Sequence, residues 1–276
     1  MRLATVRRPD GTHAAVGDDA GWVVLDEADA QTLASSPRWR TRAEAALRHP
    51  ARTEIAPDAF ENPVPRPGKI LCCGLNYREH ILETGRAVPE FPTLFAKFAD
   101  TLTGPTDDIA VRGAPKLDWE AELAVVVGAE IRRADSETAR SAILGYTVAN
   151  DVSLRDWQQR TLQWLQGKAF DATTPIGPWV VTADELDPRD GLRIRCAVND
   201  QVMQEGDTAD LVFDAADLLA YVSQFTVLRP GDLVLTGTPG GVALGMPDPR
   251  WLRDGDVLTT TIDGIGALRN VIRVAA

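Results

Sequence analysis

Leu117-Asp-Trp-Glu-Ala-Glu-Leu-Ala-Val-Val-Val-Gly128 is the stretch from which the fold and the chemistry are read. In a strand, successive side chains point to opposite faces. Glu120 and Glu122 then share one face, with Asp118 ahead of them, while Trp119, Ala121, Leu123 and Val125 share the other. The segment runs directly into an apolar stretch, so the glutamates are expected close to a core. Two carboxylates about 5 Å apart repel by roughly 3 kcal/mol at an effective dielectric near 20. Such a pair calls for a proton, a basic partner or a metal ion. Taken alone, the segment is equally compatible with a solvated strand face.

Outward from it, short apolar β-rich runs recur: Ile70 to Cys73, Tyr146 to Ala149, Trp179 to Val181, Ile194 to Val198, Asp232 to Leu235, Val257 to Ile262 and Val271 to Val274. Turn signals such as Asn199-Asp200 and Arg229-Pro-Gly-Asp232 separate many of them. Few helices are expected; two are Glu137 to Ile143 and Asp214 to Phe225, the second with Asp214 as N-cap. Strands do not alternate with long helices, which excludes a doubly wound sheet. The expected class is α+β, mostly β. Within the first sixty residues, Leu3 to Val6 and Trp22 to Leu25 read as strands and Ala43 to Leu47 as helix. Asn62-Pro-Val-Pro-Arg-Pro-Gly68 follows, and alternating prolines favour extended chain. The boundary falls there, giving a small N-terminal α+β domain, 1–62, and a larger domain, 63–276.

The chain has 276 residues and a formal net charge of −11. That surplus of carboxylates argues against a nucleic-acid partner. It leaves an anionic substrate open, because a metal and local cations reverse the field inside one cleft. Cys72, Cys73 and Cys196 form neither a disulfide framework nor a zinc spacing. No run is long enough to span a bilayer, and the first residues lack the apolar core of a signal peptide. A soluble, cytoplasmic protein is the expectation.

Further segments bring chemistry. Tyr146-Thr-Val-Ala-Asn-Asp151 is an apolar strand that ends in an acid. If Asp151 converges with Glu120 and Glu122, the three suit a hard cation that prefers oxygen, such as Mg²⁺, Mn²⁺ or Ca²⁺. In Gly74-Leu-Asn-Tyr-Arg-Glu-His-Ile-Leu-Glu-Thr-Gly85, Asn76 is a candidate N-cap with Glu79 completing a capping box. His80 and Glu83 stand at i and i+3, on one helical face; a carboxylate there orients an imidazole as a general base requires. A surface helix with an incidental histidine fits as well. Lys168 follows a glycine in a loop, where a lysine is usually just solvated. Thr236-Gly-Thr-Pro-Gly-Gly241 follows a strand and is able to offer N–H groups to an anion, or is a plain tight turn. Arg155 and Gln158 follow Asp151 in a helical turn.

In order and wording these segments resemble the fumarylacetoacetate hydrolase family, from Lys69 to about Val274. The carrying motifs are Gly74-Leu-Asn-Tyr-x-x-His80, Asp118-Trp-Glu-x-Glu-Leu123, Asn150-Asp-Val-Ser-x-Arg-Asp-Trp-Gln158, Gly167-Lys168 with Phe170-Asp171, and Arg229-Pro-Gly-Asp-x-x-x-Thr-Gly-Thr-Pro239. The resemblance implies a mixed β-sandwich roll behind a variable small domain, commonly a homodimer. It implies Glu120, Glu122 and Asp151 as ligands of Mg²⁺ or Mn²⁺, His80 and Glu83 as a base and its orienting acid on a lid, and Lys168 as the cation at a developing enolate. Arg155, Gln158, Gly237 and Thr238 match substrate-contacting positions. The implied activity is hydrolysis of a carbon–carbon bond in a small 2,4-dioxo acid through a metal-stabilised enolate. Oxaloacetate decarboxylation or tautomerisation, isomerisation of a hydroxy-diene-dioate, and a catalytically silent binding protein are the alternatives. Cys73-Gly74-Leu75 stands where fumarylacetoacetate hydrolase itself carries a further acidic ligand, which speaks against that one activity. Removal of any of the three carboxylates is expected to relieve repulsion and leave the fold standing.

Overall fold

The computed structural model describes residues 1–83, 85 and 87–275, with only the backbone of residues 80 and 83. Two sheets make the body, which is mostly β as expected. The larger follows the order Gly21–Val24, Gly11–Asp18, Arg2–Arg8, Thr174–Thr182, Ile143–Asn150, Ala121–Val127, Leu233–Leu235, Ile70–Gly74 and Thr93–Lys97. Neighbours along this order are antiparallel except Leu233–Leu235 with Ile70–Gly74, which are parallel; Leu102–Thr103 adds a second parallel pair at Thr174–Thr182. The smaller sheet orders Gln201–Asp207, Arg193–Val198, Val257–Ile262, Gly266–Ala275 and Ile109–Arg112.

Alternation along Ala121–Val127 explains the layering. Leu123, Val125 and Val127 enter a core shared with Ile194, Cys196, Leu258, Leu268 and Ile272 of the second sheet. Ala124 and Val126 enter a second core with Leu3, Leu33, Ala43, Ile176 and Leu235. The strand is therefore buried on both faces, and its run of valines is what such a strand needs. The helices Ala30–Ser35 and Trp39–Leu47 cover that second face. The first begins at Asp29, whose side chain accepts the Thr32 N–H, a cap that offsets the helix's small length. The sheet continues from the N-terminal segment into the rest of the chain, because Arg2 and Leu3 pair with Val181 and Val180.

The helix over Ala215–Ser223 has a full capping box between Asp214 and Asp217. The Asn199-Asp200 turn places both residues at positive φ, 50° and 65°, the hairpin geometry that Asn and Asp tolerate best after glycine. Asn76 departs from expectation. It caps no helix: its amide donates to the carbonyls of Phe213 and Thr236, and its side-chain oxygen accepts the Phe213 N–H. The short helix Arg78–Glu83 instead has the Glu79 N–H held by Asp210.

Candidate active site

The strand Ala121–Val127 lies antiparallel to Ile143–Asn150, with Ala121 opposite Asn150. That register sets Glu120 and Glu122 beside Asp151 at the end of the neighbouring strand. The backbone there is pinned: Glu120 N–H donates to Asn150 Oδ1 at 3.0 Å and Asp151 N–H to the Glu120 carbonyl at 2.8 Å. Gln204 of the second sheet accepts from Ala121 N–H and donates to Thr238 Oγ and the Pro239 carbonyl, tying both sheets to the site. One carboxylate oxygen from each of Glu120, Glu122 and Asp151 lies within 4.8 Å of the other two, and all three residues are buried.

Cations interleave with them. Lys168 Nζ bridges Glu120 Oε2 at 2.7 Å and Asp151 Oδ2 at 2.9 Å. Lys97, with a side chain fully buried, donates to Asp151 Oδ1. Arg155 Nη1 meets Glu120 Oε1 at 2.7 Å, and its Nε donates to Asp118 Oδ2 at 2.8 Å. Asp118 also accepts the N–H groups of Trp119, Ala243 and Leu244. It is thus a strut that aims Arg155 rather than a member of the triad. Gln158 Oε1 accepts from Arg155 Nη1 at 2.8 Å.

Glu122 differs from its neighbours. It accepts the Gly237 N–H at 2.8 Å, and among the described residues no cation pairs with it. Burial, then the charges of Asp151 and Glu120, push its carboxyl well above the usual carboxylate range. Burial also opposes ionisation of Asp151, yet Lys168 and Lys97 outweigh it and hold that acid below its ordinary value. For Lys168 burial works against the charged form, but Asp151 and Glu120 prevail and its value is raised. Four acids (Asp118, Glu120, Glu122, Asp151) face three cations (Lys97, Arg155, Lys168). Among the described residues Glu122 is the acid left without a cation, set beside the oxygen donors of Glu120 and Asp151. A hard divalent cation fits that deficit.

The cluster opens into a pocket of about 420 Å³ lined by Glu120, Glu122, Arg155, Gln158, Lys168 and Thr238 on its polar side. Thr238 Oγ donates to the Ala121 carbonyl at 2.8 Å. Gly237 has φ +101°, and a Cβ there would meet the Cys73 carbonyl at 2.8 Å, so only glycine brings its N–H to Glu122. Cys73 lines the pocket with a thiol that burial pushes up to about 12, an inert group at neutral pH. The side chains of His80 and Glu83, the expected base and its partner, lie outside the described residues. The structure thus brings together Glu120, Glu122, Asp151, Lys168, Arg155, Gln158, Gly237 and Thr238. Lys97 and Asp118 join the cluster without having been assigned a role from sequence.

Among the described residues no helix is long and apolar enough to cross a membrane. Across 288 residues the chain is 38% identical to the mitochondrial oxaloacetate tautomerase FAHD2A of Homo sapiens, covering 99% of this chain and 91% of that protein. Two solved structures superpose over 100% of both chains. One is 5-carboxymethyl-2-hydroxymuconate delta-isomerase from Mycobacterium smegmatis (TM-score 0.81, 33% identity). The other is fumarylacetoacetate hydrolase from the psychrophilic Exiguobacterium antarcticum (TM-score 0.85, 29% identity). The family model for the fumarylacetoacetate (FAA) hydrolase C-terminal region matches residues 69–273, the same span that carries every residue of the cluster, and with these relatives it makes the chain a member of the fumarylacetoacetate hydrolase family.

Proposed function

We propose that this chain catalyses keto–enol exchange in oxaloacetate or a closely related small 2-oxo acid. In this reading Glu120, Glu122 and Asp151 hold Mg²⁺ or Mn²⁺. The observation that carries it is the buried triad, whose Glu122 has no cation partner among the described residues, beside an open pocket lined by Glu120 and Glu122. The human relative's name, oxaloacetate tautomerase, supports the choice of reaction. A divalent ion there would supply Lewis acidity to the oxygens of a 2-oxo acid and so favour the enolate. Lys168, kept charged by two carboxylates, donates toward the developing oxyanion and is no base. His80, with Glu83 one turn away, is assigned the proton transfer at carbon 3. Arg155 and Gln158, which line the pocket beside Glu120, orient the substrate's second carboxylate.

A second reading is hydrolysis of a carbon–carbon bond in a 2,4-dioxo acid, with His80 and Glu83 activating water. The likeness to the Exiguobacterium hydrolase supports it. Both reactions use the same electron sink, and a product assay separates them. Enol absorbance of oxaloacetate and pyruvate release from an acylpyruvate are followed with and without Mg²⁺. Mg²⁺-dependent enol loss with no pyruvate release supports exchange, and His80→Ala should slow it by about 10²–10⁴-fold. Pyruvate release from the acylpyruvate as the faster reaction would replace exchange with hydrolysis. We keep as proposals the division into domains 1–62 and 63–276, a cytoplasmic location and a homodimer, which sedimentation would test.

A further inference from the structure

The outer half of the pocket is chemically unlike its floor. Beyond the carboxylates, Lys168 and Arg155 the walls include Phe95, Leu162, Trp164, Val242 and Leu244. Leu162 stands at the mouth with 96% of its surface exposed. Trp164 meets Phe95 edge to face, ring centroids 5.6 Å apart, and the Phe95 ring lies 5.3 Å from Lys168 Nζ. The aromatic wall is built in: a Cβ on Gly74 would meet the Trp164 ring at 2.5 Å, so glycine there seats the indole. The polar groups farther out, Gln159 and Thr161, are neutral. Among the described residues, the charged groups that line the pocket, Lys168, Arg155, Glu120 and Glu122, are gathered together at the floor. The pocket's 420 Å³ is the size of sites for ligands well above four carbons, roughly 300–1,000 Å³. A four-carbon diacid seated with both carboxylates on that charged floor would leave the aromatic wall unused.

We infer that this site also takes 2-oxo acids bearing an uncharged aromatic group at carbon 3, arylpyruvates, and interconverts their keto and enol forms. The inference rests on the proposed enol chemistry and extends its substrate class. The step balances within the substrate. The carbon 3–hydrogen bond breaks and its electron pair forms the C2–C3 double bond. The carbonyl π pair moves to the oxygen, which takes a proton; the reverse restores the ketone. No oxidant or reductant is needed. The oxo-acid head lies on the floor and the ring lies against Trp164 and Phe95, where aromatic contacts favour offset or edge geometry.

The test uses Mg²⁺-loaded wild-type protein, Trp164→Ala and Leu162→Gln, with phenylpyruvate and oxaloacetate followed by enol absorbance. Calorimetric titration of 3-phenyllactate, which cannot enolise, reads binding apart from turnover. Wild type should convert both substrates and bind phenyllactate. Trp164→Ala should lower the phenylpyruvate-to-oxaloacetate ratio of kcat/KM by about tenfold and weaken phenyllactate to a similar degree. Leu162→Gln, at a site too exposed to unfold the chain, should lower the same ratio by a few-fold. Turnover of oxaloacetate with none of phenylpyruvate overturns the inference and leaves the proposed function standing. Equal losses on both substrates in both variants also overturn it. A protein inert on both overturns the proposed function and this inference with it.

Discussion

Glu122→Gln should make the metal-free protein more stable while abolishing metal binding. The side chain is 1% exposed and lies within 4.8 Å of two other carboxylates. At that separation and an effective dielectric near 20, each pair of charges repels by roughly 3.5 kcal/mol. The folded protein bears this cost either as repulsion or by keeping a proton on Glu122, and Lys168 offsets part of it. The amide is neutral, nearly the same size and still able to accept the Gly237 N–H. A gain of about 3 kcal/mol at neutral pH follows. For a chain of this length that raises Tm by roughly 6–12 °C. The pH dependence has a definite sign. The Glu122 carboxyl is raised above its unfolded value of about 4.3. Between those two values the unfolded chain has released a proton that the folded one retains. Wild-type stability therefore falls by up to about 1.4 kcal/mol per pH unit as pH rises through that window. The Glu122→Gln protein lacks this slope, and its advantage should vanish near about pH 4. Thermal unfolding of EDTA-treated proteins across this range, with Mg²⁺ titrations of both, reads every part. A variant less stable than wild type at neutral pH, an advantage that persists in acid, or unchanged Mg²⁺ affinity would refute the reasoning.

Asp151→Asn should behave oppositely, losing about 3–5 kcal/mol in denaturant unfolding, because Lys97 and Lys168 are left as buried charges without that partner. Lys97→Met removes a fixed cation beside the ligand set and should tighten Mg²⁺ binding by about tenfold or more in calorimetric titration. Mg²⁺ binding at neutral pH should release a proton from Glu122, so affinity should rise with pH; calorimetry in two buffers of different ionisation enthalpy measures that release, and none would contradict the raised Glu122.

The contrast between Glu122 and Asp151 marks where sequence reasoning stopped. From sequence the three acids are equivalent, each expected to be needed for the metal and activity and removable without loss of the fold. The structure splits them: among the described residues Glu122 has no cation partner, whereas Asp151 is held from both oxygens by lysines. Alternation placed Glu120 and Glu122 on one face, and an acid at the end of an apolar strand drew attention to Asp151. What alternation does not supply is register, and the Ala121–Asn150 pairing is what makes the three converge. Lys97 went unassigned because a lone lysine at the end of a short run looks solvated; its strand, Thr93–Lys97, is a sheet edge whose last residue turns inward. Asn76 looked like a cap because Asn and a later Glu have that spacing, whereas its partners are 137 and 160 residues away. The long apolar strands were legible throughout, since burial on both faces demands continuous apolar sequence. The short helix Ala30–Ser35 and the largely polar strand Gln201–Asp207 were not, because neither carries a strong period.

The most direct test of a divalent-metal enol chemistry at Glu120, Glu122 and Asp151 is the decay of oxaloacetate enol absorbance with wild-type protein stripped by EDTA, then with Mg²⁺ restored. Catalysed decay should disappear on stripping and return in full with Mg²⁺ in wild type, but not in Glu122→Gln. Undiminished catalysis by the stripped protein, or full recovery in Glu122→Gln, would contradict it.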